Sequence, residues 1–95
     1  MIPDYQSLML PLLRFVSDKQ EYKYRDLIEK LSLEFKLTDE ERKELLASGN
    51  QPVFDNRVAW AKTYLKKAGL IDSPKRATFV ITELGLQTLK KNPDR

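Results

Sequence analysis

The sequence has no cysteine and no histidine. Disulfides, zinc fingers of the Cys/His type, a cysteine nucleophile and a histidine general base are therefore excluded. Long apolar runs are also missing. The uncharged stretch 5–13 is far shorter than the ~20 residues a membrane-spanning helix requires. Residues 8–13 resemble the apolar part of a secretory signal, but Asp4 precedes them, no basic flank does, and no small-residue cleavage site follows. A cytoplasmic location without membrane contact is expected. Glycine is scarce, with three residues against five prolines, so most of the chain is free to form regular structure. There is no phosphate-binding glycine loop.

Within 95 residues, hydrophobic side chains make up 41% and charged ones 33%, the balance of a folded soluble chain. With no disulfide or metal to help, leucine, valine, isoleucine and aromatics must hold one core, giving modest stability. Charge is divided unevenly. Up to Val53 there are eight basic and ten acidic residues; beyond it, nine basic and four acidic. A basic half on a small domain points to an anionic partner, most often nucleic acid, whereas a merely soluble surface is the plainer alternative.

Residues 5–17 carry apolar side chains at Leu8, Leu12, Leu13, Phe15 and Val16, close to helical spacing, with Asp4 as a cap. Pro11 lacks an amide proton, so a kink or a start near position 10 is expected. Tyr22-Lys23-Tyr24 alternates like a short strand. Leu27, Ile28, Leu31 and Phe35 mark a second helix over 25–35. Thr38-Asp39-Glu40-Glu41 is a capping box that opens a third, running through Leu45 and Leu46 to a stop at Ser48-Gly49-Asn50. Gln51 to Phe54, with Pro52, reads as a connector. A fourth helix spans about 55–68 and ends at Gly69. Leu70-Ile71 and 76–82 form a hairpin around the turn Asp72-Ser73-Pro74-Lys75. A last helix covers Glu83–Lys91 and Pro93 ends it. The fold class is mainly α with a β-hairpin: a winged helix-turn-helix of about five helices and a small two- or three-stranded sheet. Its fourth helix is then the recognition helix.

Placing Asn56 at 0° and advancing 100° per residue puts Arg57, Val58, Ala61, Tyr64, Leu65 and Ala68 on a core-facing arc of about 80° to 200°. Asn56, Ala59, Trp60, Thr63, Lys66 and Lys67 lie on the other side. An amide, a hydroxyl, two lysines and a small alanine suit a major groove: asparagine can pair with adenine, and lysine can reach phosphate or guanine. An ordinary solvated helix face is the alternative. Arg57, near the core edge, reads either as a phosphate contact or as the partner of an acidic neighbour. Trp60, at about 40°, is expected to pack at the interior edge rather than stack on a base. Lys75 and Arg76 at the hairpin tip can neutralise phosphates, or simply keep the tip soluble. Lys90 and Lys91 match the dipole of the last helix. Glu41-Arg42-Lys43 has the E-x-K form of a metal-dependent nuclease, but on a capped, charged helix its i,i+3 and i,i+4 pairs account for it. No catalytic, metal or cofactor site is assigned.

Several segments together resemble the N-terminal winged-helix domain of Mrr-type restriction proteins, a type IV, modification-dependent family. They are Ser48-Gly49, Asn56-Arg57-x-x-Trp60-Ala61, Leu65-x-x-Ala68-Gly69-Leu70 and Thr82-x-x-Gly85, with Pro3-x-Tyr5 and Pro11-x-Leu13-Arg14 before them. The resemblance covers nearly the whole chain, and the Asn-Arg-x-x-Trp-Ala segment is its most specific part. One departure is that the family's wing usually carries glycine after its arginine, where Arg76 is followed by Ala77. In that family the domain precedes a nuclease domain of the PD-(D/E)xK class, and the whole protein cleaves modified, usually methylated, DNA. The resemblance thus implies that residues 1–95 are one winged-helix DNA-binding domain excised from a longer protein, with Asn92-Pro93-Asp94-Arg95 at a linker edge. The chain alone is expected to lack catalysis. Double-stranded DNA, methylated or not, is the expected partner, with Asn56, Arg57, Thr63, Lys66, Lys67, Lys75 and Arg76 as contacts. Self-association as a homodimer is also implied. A winged helix used for protein–protein interaction or dimerisation is the alternative reading.

Overall fold

A computed structural model of the chain describes residues 2–91. The elements run α1 (Tyr5–Phe15), β1 (Tyr22–Lys23), α2 (Tyr24–Glu34), α3 (Asp39–Lys43), α4 (Val53–Lys67), β2 (Ile71–Asp72), β3 (Thr78–Ile81) and α5 (Glu83–Lys91). The strands form one antiparallel sheet in the order β1-β3-β2, with Tyr22 opposite Phe79 and Ile71 opposite Ile81. Five helices with a three-stranded antiparallel sheet are consistent with a winged helix, α4 preceding the β2–β3 wing. Pro93 and the linker edge at 92–95 lie outside the described residues.

The α1 helix begins where Asp4 accepts the Ser7 amide at 2.8 Å. It runs through Pro11 instead of starting there. Leu8 stands on one side of the proline and Leu12 and Leu13 on the other, and all three are buried. Burying that stripe, chiefly against α4, outweighs the one hydrogen bond that proline cannot make. The core is completed by Leu27, Ile28 and Leu31 of α2, by Phe54, Val58, Ala61 and Leu65 of α4, and by Ile71, Phe79 and Ile81 of the sheet.

The third helix is shorter than its sequence suggests. Thr38 and Glu41 form the expected capping box, with Glu41 N to Thr38 Oγ1 at 3.1 Å and Thr38 N to Glu41 Oε1 at 2.9 Å. The helix then ends at Lys43 rather than passing through Leu45 and Leu46. None of its residues is buried, so no apolar stripe stabilises another turn. Glu44 is extended, Leu45 bridges Pro52, and Leu46 N donates to Gln51 O at 2.9 Å. This small hairpin turns near Gly49, whose φ is +75°. It delivers Pro52 as the N-cap of α4, which therefore starts at Val53, ahead of the expected 55. The earlier start buries Val53 and Phe54 in the first turn.

At the far end, Gly69 terminates α4 with φ +79°. Thr82 ties the wing to α5. Its hydroxyl donates to Gly69 O at 2.6 Å and accepts the Gly85 amide at 3.1 Å. Gly85 is buried so closely that an added Cβ would overlap the Leu70 carbonyl oxygen and stand 2.7 Å from Ile81 Cγ1. The spacing Thr82-x-x-Gly85 thus reflects one cap and one close backbone approach.

Candidate nucleic-acid interface

The buried side of α4 carries Val53 in its first turn and then Phe54, Val58, Ala61 and Leu65, which recur at three- and four-residue spacing. The remaining circumference has two flanks. One faces the wing and the start of α2. The other faces the N-terminal segment and the start of α1. This division decides what each candidate residue can reach.

On the wing side, Ala59, Lys62 and Lys66 line an open cleft with Tyr24, Gln51, Ser73, Ala77 and Phe79. Lys62 was not among the residues expected from the sequence. Its Nζ stands 5.2 Å from the centre of the Phe79 ring and 5.7 Å from that of Tyr24, so two aromatic faces hold the ammonium in the cleft. Its place on the helical wheel, next to Lys66, is the signal that could have found it. A second cleft, lined by Lys23, Arg25, Asp26, Arg76 and Thr78, shares Tyr24 and Ala77 with the first. The two make one strip of cations from α4 across the wing base to the N-terminus of α2. Lys23, Arg25, Lys62, Lys66 and Arg76 contribute to it, and Asp26 is the acid among the lining residues.

Lys75 sits at the exposed wing tip, its Nζ 3.7 Å from Glu21 Oε1. With both side chains largely in solvent, this pair is weak and leaves the charge accessible. The tip is shaped by Ser73, whose amide is bound by Asp72 at 2.8 Å and whose hydroxyl donates to Lys75 O at 2.8 Å. Ala77 adopts φ +57°, the left-handed region that glycine tolerates best. Ala77 holds this conformation at the place where the resembling family usually carries glycine.

At the N-terminal end of α4, Asn56 Nδ2 donates to Gln51 Oε1 at 3.3 Å. The hairpin before the helix therefore orients the asparagine. Thr63 Oγ1 donates to Ala59 O at 2.8 Å, which leaves its oxygen able to accept. Lys67 is exposed. Arg57 is turned the other way: its Nη1 donates to Ile2 O at 3.1 Å and Pro3 O at 3.3 Å. Two backbone carbonyls hold it, its charge also acts on the nearby Asp4 carboxylate, and it anchors the N-terminal segment. It does not join the wing-side strip.

Three aromatic rings occupy that opposite flank. Tyr64 stacks on Tyr5 at 5.0 Å between centroids, and Trp60 leans on Tyr64 at 6.0 Å. The sequence placed Tyr64 in the core and Trp60 at its edge. Both are instead exposed, Trp60 by 49% and Tyr64 by 41%. Leucines already fill the space beneath α4, and Tyr5 of α1 covers the flank, so no interior position remains for the indole. Ala68, also expected inside, is exposed where it caps the helix.

Behind the strip lies a polar cluster. Tyr24 donates its hydroxyl to Asp55 O at 2.7 Å. Burial, reinforced by the Asp55 carboxylate, pushes the phenol up to about 12. Burial also raises the Asp55 carboxyl. Arg42 bonds Glu29 at 3.0 Å and Ser32 Oγ at 2.9 Å, and that hydrogen bond from Arg42 holds the Glu29 carboxyl below its ordinary range. Glu41 and Arg42 of the E-x-K triplet are thus engaged in capping and helix-to-helix pairing. No group of three acidic residues able to hold a metal occurs among the described residues. No helix among them is long and apolar enough to cross a membrane.

Comparison with known proteins agrees with the resemblance. The family model of the Mrr N-terminal domain matches residues 5–91. The type IV methyl-directed restriction enzyme EcoKMrr of Escherichia coli (strain K12) is 33% identical over 93 residues. The match covers 97% of this chain but 30% of the relative, so the chain spans less than a third of that protein's length. No solved structure matches the chain.

Proposed function

The chain belongs to the Mrr N-terminal domain family, and from that membership we propose that it is the double-stranded-DNA-binding, modification-reading part of a restriction protein. Cutting, in this reading, is done by a part of the protein outside this chain. The observation that carries the proposal is the outer face of α4. Its wing-side flank carries Lys62 and Lys66 and meets, through the shared Tyr24 and Ala77, the cleft lined by Arg76, Lys23 and Arg25. A helix of this kind enters the major groove while the wing follows the sugar–phosphate backbone.

The roles divide by geometry. Lys62, Lys66, Arg76 and Lys75 neutralise phosphates and fix the register of the domain on the duplex. Lys67, on the outer arc, reaches the opposite strand. Asn56, oriented by Gln51, presents its amide to a base edge, and Thr63 accepts from one. Arg57 positions the N-terminal segment beside the helix and contributes its charge from that flank.

Fluorescence anisotropy over a salt series, with matched methylated and unmethylated duplexes, tests the reading. Four to six phosphate contacts give log K against log salt a slope of roughly −4 to −5. Lys66→Ala should weaken all sequences alike and reduce the slope by about 1. Asn56→Ala should relax preference at one base position, at a cost of about 1–3 kcal/mol. A domain that binds no duplex even at low salt would refute the proposal and favour a protein-interaction role.

A further inference from the structure

Trp60 is the chain's only tryptophan, and it lies on the exposed arc of α4 between the reading residues and the aromatic flank. With Tyr64, it is one of two large rings left exposed on a helix whose other outward residues are polar, charged or small, and it is the one without a polar hydroxyl. The core does not use it. Its support comes from outside the core, where Tyr64 leans against it and Tyr5 stacks behind Tyr64. The result is a fixed apolar plate, about 40° around the helix from Asn56 and about 20° from Lys67.

Apolar side chains in a major groove meet the apolar groups presented there, of which the thymine methyl is the ordinary example. A methyl on cytosine C5 or on adenine N6 projects into the same groove. The clefts beside α4 are open grooves of mixed lining, and in the one that holds the Tyr24 and Phe79 rings the Lys62 ammonium already lies over both ring faces. They are not enclosed slots between aromatic rings of the kind that receive a flipped base. We infer that Trp60 is the methyl-contacting residue of α4, its indole covering the methyl group of a modified base that stays in the stack. This inference rests on the DNA-reading function proposed above and adds to it the residue and the chemical group recognised.

The test uses the whole chain with three matched duplexes, unmodified, C5-methylated at cytosine and N6-methylated at adenine. It compares the wild type with Trp60→Gln and Trp60→Leu, with circular dichroism to check that the variants fold. Covering one methyl corresponds to a roughly fourfold preference in Kd. The wild type should show that preference for one or both methylated duplexes, and which duplex identifies the base. Trp60→Gln should abolish the preference while leaving the salt slope unchanged, and Trp60→Leu should keep part of it. Indole emission, which reports this residue alone, should change more with the methylated duplex than with the unmodified one. DNA binding that lacks a methyl preference, or a preference unchanged in Trp60→Gln, would overturn the inference and leave DNA binding intact. An unchanged preference together with conversion of a self-associated domain to monomers would assign the plate to a protein contact instead. Failure of the wild type to bind any duplex would remove the DNA-reading function and this inference together.

Discussion

Ala77→Gly should stabilise the protein, although glycine usually does the reverse. Ala77 holds φ +57° at the end of the wing tip. An L-residue with a Cβ in the left-handed region costs about 1–2 kcal/mol relative to glycine. The conformation is imposed by its surroundings. The Ala77 carbonyl accepts the Tyr24 amide at 2.8 Å, joining the wing to the first residue of α2, and the Thr78 amide closes the turn on Lys75 O at 3.2 Å. The Ala77 side chain is exposed, so its removal forfeits little packing. Against the relief of strain stands the added freedom of glycine in the unfolded chain, about 0.4–1 kcal/mol. The difference is a net gain of roughly 0.5–1 kcal/mol.

For a chain of this size, each kcal/mol moves the melting temperature by about 4–8 °C, so a rise of roughly 2–8 °C is expected. Urea unfolding should show a higher midpoint at an unchanged slope, which separates a true gain in stability from a change in compactness. Ala77→Val sharpens the test. A β-branched residue tolerates the left-handed region worse than alanine, so valine should destabilise where glycine stabilises. If glycine lowers the midpoint, or if valine is neutral, the left-handed turn is not the conformation of the wing in solution. Because the turn itself is retained in Ala77→Gly, affinity for DNA should stay within about twofold of the wild type.

Two further outcomes follow from contacts behind the wing. Gly85→Ala should cost about 1–3 kcal/mol in urea unfolding, because the new methyl must displace backbone at Leu70 as well as the Ile81 side chain; a neutral result would mean that α5 can shift away from β3. Tyr24 gives a dependence on pH. Its phenol is pushed up to about 12, so the folded state keeps the proton more tightly than the unfolded state, whose value is near 10. The contribution of Tyr24 is therefore complete below pH 10 and is lost as pH rises towards 12. Tyr24→Phe loses the hydrogen bond to Asp55 O, lowering stability at neutral pH by about 1 kcal/mol, but its urea midpoint should fall less steeply than that of the wild type above pH 10. Parallel declines in the two proteins would exclude Tyr24 as the group responsible.

What could be read from the sequence, and what could not, separates by the range of the interactions concerned. Asp4 with Ser7, Thr38 with Glu41, and Gly69 at the end of α4 are local arrangements, and each occurs as its short pattern predicts. The buried stripe Val58, Ala61 and Leu65 follows from helical period alone. The third helix departs from its pattern because Leu45 and Leu46 look like another apolar turn, while pairing of Leu45 with Pro52 offers the backbone a different partner. Trp60 and Lys62 show the limit more clearly. Both lie on the same helix, and a helical wheel puts Lys62 outside the core-facing arc and Trp60 at its edge. It cannot say that Phe79 and Tyr24, distant in the chain, flank Lys62, or that Tyr5 and Tyr64 occupy the side where Trp60 would otherwise turn inward. Those neighbours are supplied by the return of β3 between β1 and β2 and by the crossing of α1 over α4. The period of α4 therefore determines which residues are available to a partner, whereas the topology around it determines that Lys62 and Lys66 face the wing and the indole faces away. A cationic strip on one flank and an apolar plate on the other are properties of the packed elements, and the proposed holding of a phosphate backbone and the proposed sensing of a methyl group each draw on one of them.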